Sequence, residues 1–549
     1  MANTLISYQS ANLLTKLEQP FASKRENERS AYKSTVLTLC ACVVGIGAVF
    51  ASLHLPALVD SAALIFLPLA AGLWVLAWRK WEFGVQALLV IVIVEGAIRK
   101  WFLPSYAELV YFYKDGLMCA IIIGYLAQRC KPPFIIKRQI KLFSGVVGAF
   151  ALYAFAVVAN PRAPHLWASL FGIKAYYLYM PLIFIVPRMF TTKEKLIAFL
   201  RWYLIIALAV AAIGVWQFMD GNPGSTLNRY AWNDAAGSAS DIAVFADSEG
   251  SFYVRVTSTF SFISGLTVYL PTVFALLLGL TSLRSTRTLP LGIRWLYYVV
   301  MGATVISAFM SGSRSVIINL LIITLVFYAF TSMKDALHRL RQFAVAAVLV
   351  YLALVTVSPQ AVEGLYHRAF GGEAQIEEGH ARIVEVFSFP FNEAAYAGAL
   401  GYGIGATQNS IPALMRRLGL THTGEQIPIP VESETSRVML ELGVVGFLLY
   451  TLLRLSILIV LWQACVMIRD REHKTLAVAA FAAMIFPLIA GGAVVVHTQN
   501  VYQWFLIGTV FALLNADKLS SRALAAEEST LRQTWPVMRP LPAPVESIE

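Results

Sequence analysis

The chain has 549 residues, 58% of them hydrophobic and only 14% charged, with a mean hydropathy of +0.66. Soluble globular proteins are about 45–50% apolar, so this composition excludes a water-soluble domain and points to an integral membrane protein. A formal charge of +11 raises nucleic acid as a partner, but the cations gather in alternate connections between apolar runs; that is a pattern of membrane orientation, and no nucleic-acid reading is needed.

In chain order, residues 1–35 read as a cytoplasmic segment carrying Lys16, Lys24, Arg25, Arg29 and Lys33. The first apolar run begins only at 36 and is long enough to stay, so no cleaved signal is expected. Runs long enough to cross about 30 Å of hydrocarbon as helices then recur to residue 515. Transmembrane helices are expected at 36–55, 57–78, 82–98, 107–127, 143–159, 171–188, 202–219, 261–283, 295–311, 315–332 and 342–357, and again at 437–461, 476–495 and 501–515, about fourteen in all. Basic clusters follow the fourth, sixth, eighth, tenth and twelfth of these, among them Lys137 and Arg138, Lys193 and Lys195, Arg284 and Arg287, Arg339 and Arg341, and Arg469 and Arg471. By the positive-inside rule both termini lie in the cytoplasm.

The non-membrane structure then falls on the outer face: a periplasmic loop at 220–260 within the 36–357 helical block, and a large loop at 358–436 ahead of the last three spans. The second is too long for a structureless connection and reads as a partly helical cap, with helix-like stretches near 376–389 and 408–419. Residues 516–549 end in a Pro- and Glu-containing stretch and read as a disordered cytoplasmic tail. The expected fold is an all-α polytopic membrane protein. Its five cysteines sit in spans or at their cytoplasmic ends, so no disulfide framework is implied.

Charges inside membrane segments usually face a cavity or a partner. Lys114 and Asp115 interrupt the fourth span as a candidate local ion pair, and Arg99-Lys100 beside Trp101 read as an interfacial anchor. Lys174 in GIKAYYLYMPL reads either as a snorkelling lysine in an aromatic belt or as a cation facing outward. Arg255 in RVTSTF and Arg314 in the tight SGSRS connection lie at the same outer face, joined by Arg382 in the cap. Converging cations want an anion, and arginine forks match phosphate oxygens.

No DxD, HExxH, Cys/His cluster or GxSxG is present, so neither a metal nor a covalent catalyst is indicated, and no cofactor is implied. The outer histidines His367, His380, His422 and His497 are scattered and read as solvated residues. Carboxylates remain. In 432-ESETSRVMLELGVVG-446 a helix starting near Ser433 puts Glu434, Arg437 and Glu441 on one face, with Glu432 ahead of the first turn. Capping explains Glu434; Glu441, about 10 Å deeper, is expected to pair with Arg437 at i+4.

The order GIKAYYLYMPL, RVTSTF, SGSRS, a long outer loop with RIVEVF and LGYGIG, then ESETSRVMLELGVVG resembles the O-antigen ligase and polymerase superfamily, over roughly residues 90 to 515. The resemblance implies a multi-pass protein of the bacterial inner membrane, with its active site facing the periplasm, that transfers glycan from an undecaprenyl-pyrophosphate donor without a metal. By motif it implies Arg255, Arg314 and Lys174 as pyrophosphate-binding residues, Lys174 standing where relatives usually carry arginine, with Arg382 and Arg437 as secondary contributors and Glu432 or Glu434 as general base. Glu432 stands where ligases place a histidine, which favours the polymerase type. The implied partners are the lipid-linked glycan, membrane lipid and other polysaccharide-assembly proteins. A ligase moving finished glycan to another acceptor and a polyprenyl-linked glycan flippase are the rival readings.

Overall fold

The computed structural model describes residues 56–128, 141–232, 235–237, 244–246, 252–330, 390–408, 411–429, 431 and 433–534, with isolated positions between 38 and 46 and between 352 and 388. Most of the expected spans 36–55 and 342–357, the cap helix near 376–389, and the site candidates Arg382 and Glu432 lie outside the described residues.

The described chain is helical apart from two short hairpins. Its helices are α1 (Pro56–Arg79), α2 (Trp81–Ala97), α3 (Ala107–Ala127), α4 (Lys141–Val157), α5 (Leu166–Tyr177), α6 (Leu182–Met189), α7 (Lys193–Tyr203), α8 (Ile206–Asp220), α9 (Ile263–Thr281), α10 (Leu291–Met310), α11 (Arg314–Ala329), α12 (Ile411–Arg417), α13 (Glu434–Met467), α14 (Arg471–Ala490) and α15 (His497–Thr534). Among the described residues, eight helices are long and apolar enough to cross a membrane, when α5–α6 and α7–α8 each count as one. The α5–α6 break falls where Pro181 has no N–H to give the ladder.

Helix α9 is central: it packs against α10, α11, α14 and α15, while α15 also packs on α6 and α4 lies along α13. The loop expected at 220–260 contains two antiparallel pairs, β1 (Tyr230–Trp232) with β2 (Ala235–Gly237) and β3 (Val244–Ala246) with β4 (Phe252–Val254). The final helix also differs from expectation, running on through 516–534 where a disordered tail was expected. The stretch ADKLSSRALAAEESTLRQT is rich in strong helix formers, and the prolines that argue for disorder begin only at Pro536.

The largest departure concerns α13. Ser433 caps its start as expected, its hydroxyl accepting from the Ser436 N–H at 3.1 Å. Yet Glu434 accepts a hydrogen bond from the Tyr450 hydroxyl at 2.8 Å and lies 3.5 Å from the Arg454 guanidinium. A straight helix would hold Arg454 about 30 Å from Glu434 at 1.5 Å per residue. The chain therefore reverses at Gly443, whose φ of 66° and ψ of −173° are non-helical. Glu434–Leu442 is a re-entrant arm lying beside Val444–Met467.

Reversal frees backbone groups, and the glycine-rich turn at 398–402 takes them up. The Tyr402 N–H donates to Leu440 O at 2.7 Å, and the Val444 N–H donates to Gly398 O at 3.0 Å. The Tyr153 hydroxyl donates to Leu442 O at 2.5 Å. LGYGIG and ELGVVG are thus two halves of one joint. A Cβ on Gly443 would sit 2.3 Å from Ala399 O. Gly443→Ala is therefore expected to destabilise the full chain by about 1–3 kcal/mol, through strain and overpacking. The check is the midpoint of thermal unfolding in detergent; an unchanged midpoint would mean that the joint carries no strain.

At the opposite end of the bundle, Asp470 caps α14, accepting from the His473 N–H at 2.8 Å and its ring Nδ1 at 2.7 Å. Burial pushes the Asp470 carboxyl up, but the His473 hydrogen bonds and the Lys193 charge outweigh it and leave it below the usual carboxylate range. A depressed carboxyl contributes stability above its unfolded value and loses it as the pH falls through the folded one. Asp470→Asn is expected to lower the unfolding midpoint near pH 7, and its gap from the parent protein to narrow only as the pH falls below the usual carboxylate range.

Candidate functional site

The helix ends opposite Asp470 border a cavity of about 350 Å³ lined by charged as well as apolar residues. Helix α2 contributes Glu95, the π-helical turn Ile98–Phe102 that continues it contributes Arg99, α3 contributes Tyr111 and Lys114, and the entry to α9 contributes Ser261 and Phe262. Gln408, then Glu434 and Arg437 of the re-entrant arm, then Gly492 and Val496 of the α14–α15 connection and His497 at the start of α15 complete the wall. The wall closes tightly at Gly96, where a Cβ would fall 2.0 Å from the Ser261 backbone nitrogen.

One carboxylate organises the α2–α3 side. Glu95 lies 2.6 Å from Lys114 Nζ and 3.5 Å from Arg99 Nη1, one turn along its own helix. Arg99 also donates to the Ser261 hydroxyl at 3.0 Å. The Tyr111 ring carries cations on its face, with Lys114 Nζ 4.1 Å and Lys174 Nζ 5.2 Å from its centroid.

The re-entrant arm forms the facing side. Besides Tyr450 and Arg454, Glu434 accepts the Val494 N–H at 2.7 Å. Arg437 donates to Val431 O at 3.1 Å and to Thr407 O. Glu441 is fully buried, accepting the Thr407 N–H at 3.1 Å, its hydroxyl at 2.7 Å and the Tyr176 hydroxyl at 3.0 Å. The expected direct pair between Arg437 and Glu441 is thus replaced by Thr407, which accepts from one and donates to the other.

Other expectations change for the same geometric reasons. Lys114 and Asp115 do not pair with each other: successive helix positions point about 100° apart, so Lys114 turns to Glu95 while Asp115 turns to Lys174, 2.6 Å away. Asp115 also accepts the Tyr179 hydroxyl at 2.5 Å. Arg99 and Lys100 are buried rather than interfacial, Lys100 donating to the Thr257 hydroxyl at 3.0 Å and to Ser258 O. His497 is buried in the cavity wall and not solvated, its Nε2 3.3 Å from the Tyr111 hydroxyl.

Of the sequence candidates, Glu434 and Arg437 line the cavity. Lys174 stands one layer behind it, bound to Asp115. Arg255, half-buried after β4, and Arg314, half-buried at the start of α11, are not among the described lining residues. Glu95, Lys114, Tyr111, Gln408 and His497 enter from outside the candidate set, and Arg99 from its margin. Glu95 gave one sequence signal, a carboxylate at i−4 to Arg99 inside an apolar run. Among the described lining residues cations outnumber acids, and Arg454 behind the wall shares Glu434. A wall of that balance can attract a small anion. No protein-family model matches the sequence, and no curated protein matches it.

Removing Glu95 would leave two buried cations facing each other across the cavity wall. Glu95→Gln is expected to cost about 3–5 kcal/mol, and Glu95→Gln with Lys114→Met to recover part of that loss. Unfolding midpoints of the full chain in detergent measure both; no recovery in the double variant would mean that the pair is not coupled.

Proposed function

We propose that the chain is a glycosyltransferase that polymerises undecaprenyl-pyrophosphate-linked oligosaccharide units in O-antigen or exopolysaccharide biosynthesis. It would do so as a protein of about fourteen spans with both termini in the cytoplasm and its cavity opening to the periplasm of a bacterial inner membrane. The observation that carries the reading is the cavity itself, in which Arg99, Lys114 and Arg437 surround a space of headgroup size at one end of an apolar bundle. The order of motifs supports it too, because two of them, LGYGIG and ELGVVG, meet at the joint that holds the cavity's re-entrant arm.

The chemistry is an inverting displacement. An acceptor hydroxyl attacks the anomeric carbon, its proton passes to a base, and the bond to the pyrophosphate oxygen breaks with its electron pair. Cations stabilise the departing pyrophosphate, so no metal and no glycosyl-enzyme is required. Arg99, Lys114 and Arg437 would take that charge from the cavity wall. Lys174, Arg255 and Arg314 would act from further along the donor's path, while Arg382, outside the described residues, enters by the resemblance alone. Glu432 and Glu434 are the carboxylates that the resemblance offers as base.

The test is surface-polysaccharide chain length in cells whose sole copy carries Arg99→Ala, Arg314→Ala or Glu434→Gln. Collapse of long chains to single repeat units on the lipid acceptor is expected. Long but unattached chains would assign ligation instead, and retention of lipid-linked units on the inner face would replace the transferase reading with a transporter.

A further inference from the structure

Buried polar atoms in folded proteins nearly always have partners, so the exceptions call for a ligand or a function. Two side chains of the cavity wall are such exceptions: His497 and Gln408 are 6% and 5% exposed, and neither His497 Nδ1 nor Gln408 Nε2 has a hydrogen-bond partner among the described residues. They come from separate parts of the chain, Gln408 from the end of the glycine-rich loop and His497 from the first residue of α15.

His497 is fixed on its other side. Its ring stacks on Tyr111 at 5.1 Å between centroids, and Nε2 lies 3.3 Å from the Tyr111 hydroxyl. When Nε2 carries the proton and donates to that oxygen, Nδ1 keeps a lone pair with nothing to accept. Burial first, and then the charges of Lys174, Lys114 and Arg99, hold the ring well below the usual histidine range and keep it neutral; the last two are cations of the cavity wall. Glu434, by contrast, has both carboxylate oxygens engaged, one by Tyr450 and one by the Val494 N–H, with Arg454 beside it.

We propose that His497 is the base of the cavity and that Gln408 donates to the incoming saccharide; this rests on the glycosyl-transfer reading given above. The acceptor O–H proton passes to His497 Nδ1 while the oxygen's lone pair forms the new bond to the anomeric carbon. The bond to the pyrophosphate oxygen breaks, and its electron pair leaves with the pyrophosphate toward Arg99 and Lys114. The imidazolium then returns its proton to water or to the departing pyrophosphate. Glu434 becomes a structural carboxylate that pins the re-entrant arm to Arg454.

The experiment uses the full chain in proteoliposomes, with lipid-linked oligosaccharide extracted from a producing strain that lacks this protein. Transfer is followed from about pH 8 down to the lowest pH at which the proteoliposomes stay intact, because the His497 imidazole is held below the usual histidine range, and binding of undecaprenyl pyrophosphate is measured separately. His497→Gln is expected to slow transfer by about 10²- to 10⁴-fold with pyrophosphate binding retained, and its residual activity should lose the decline of the parent protein on acidification. Tyr111→Phe, which keeps the ring but frees Nε2, should show a smaller loss. Parent-like transfer by His497→Gln, while Arg99→Ala fails, would overturn the base and leave the transferase standing. Loss of pyrophosphate binding in His497→Gln would also overturn it, making the residue one that shapes the site. Parent-like transfer by both His497→Gln and Arg99→Ala would remove the cavity from the reaction and the transferase reading of it as well.

Discussion

The reversal at Gly443 is the constraint on which the rest of the site depends. Inside a bilayer every backbone polar group must find a partner within the protein, so a helix can break only where something else completes its ladder. Here the turn at 398–402 does so, bonding both ways across the break, to Leu440 and from Val444. Because the break is completed, the arm that follows Ser433 can lie alongside the helix it precedes. That position brings Glu434 to Arg454 and Arg437 to the cavity wall. A straight α13 would carry these residues well away from Glu95 and Lys114.

The second constraint is charge pairing at low dielectric. Ionised groups there are costly unless paired, and pairing follows helix geometry rather than sequence adjacency. Glu95 therefore serves Arg99 one turn away on its own helix and Lys114 on the next, while Asp115 faces the other way and holds Lys174. Thr407 ties Arg437 to Glu441 in the same economical manner, joining the glycine-rich loop to the re-entrant arm. The cavity is left with more cations than acids in its described wall.

Much of the helical framework was legible because hydropathy is a local property. The limits of α3, expected at 107–127, coincide with the helix, and the serine cap of α13 lies where the sequence puts it. The short strands between 230 and 254 gave little warning, since three-residue strands are too brief for an alternation to register. The extension of α15 was masked by a proline-rich end that lies beyond it.

The sequence by itself determined that this is a helical membrane protein, that unusual charges interrupt its apolar runs, and that a carboxylate helix start follows a glycine-rich loop. Those features rest on composition, spacing and capping, which act over a few residues. Only the tertiary structure decided which charges pair, that α13 doubles back, and that His497 stands in a cavity wall beside Tyr111 instead of in solvent. Each of those joins residues tens to hundreds of positions apart, as Tyr111 and His497 are. A fit of that kind is set by how backbones approach at Gly96 and reverse at Gly443, which no local pattern encodes.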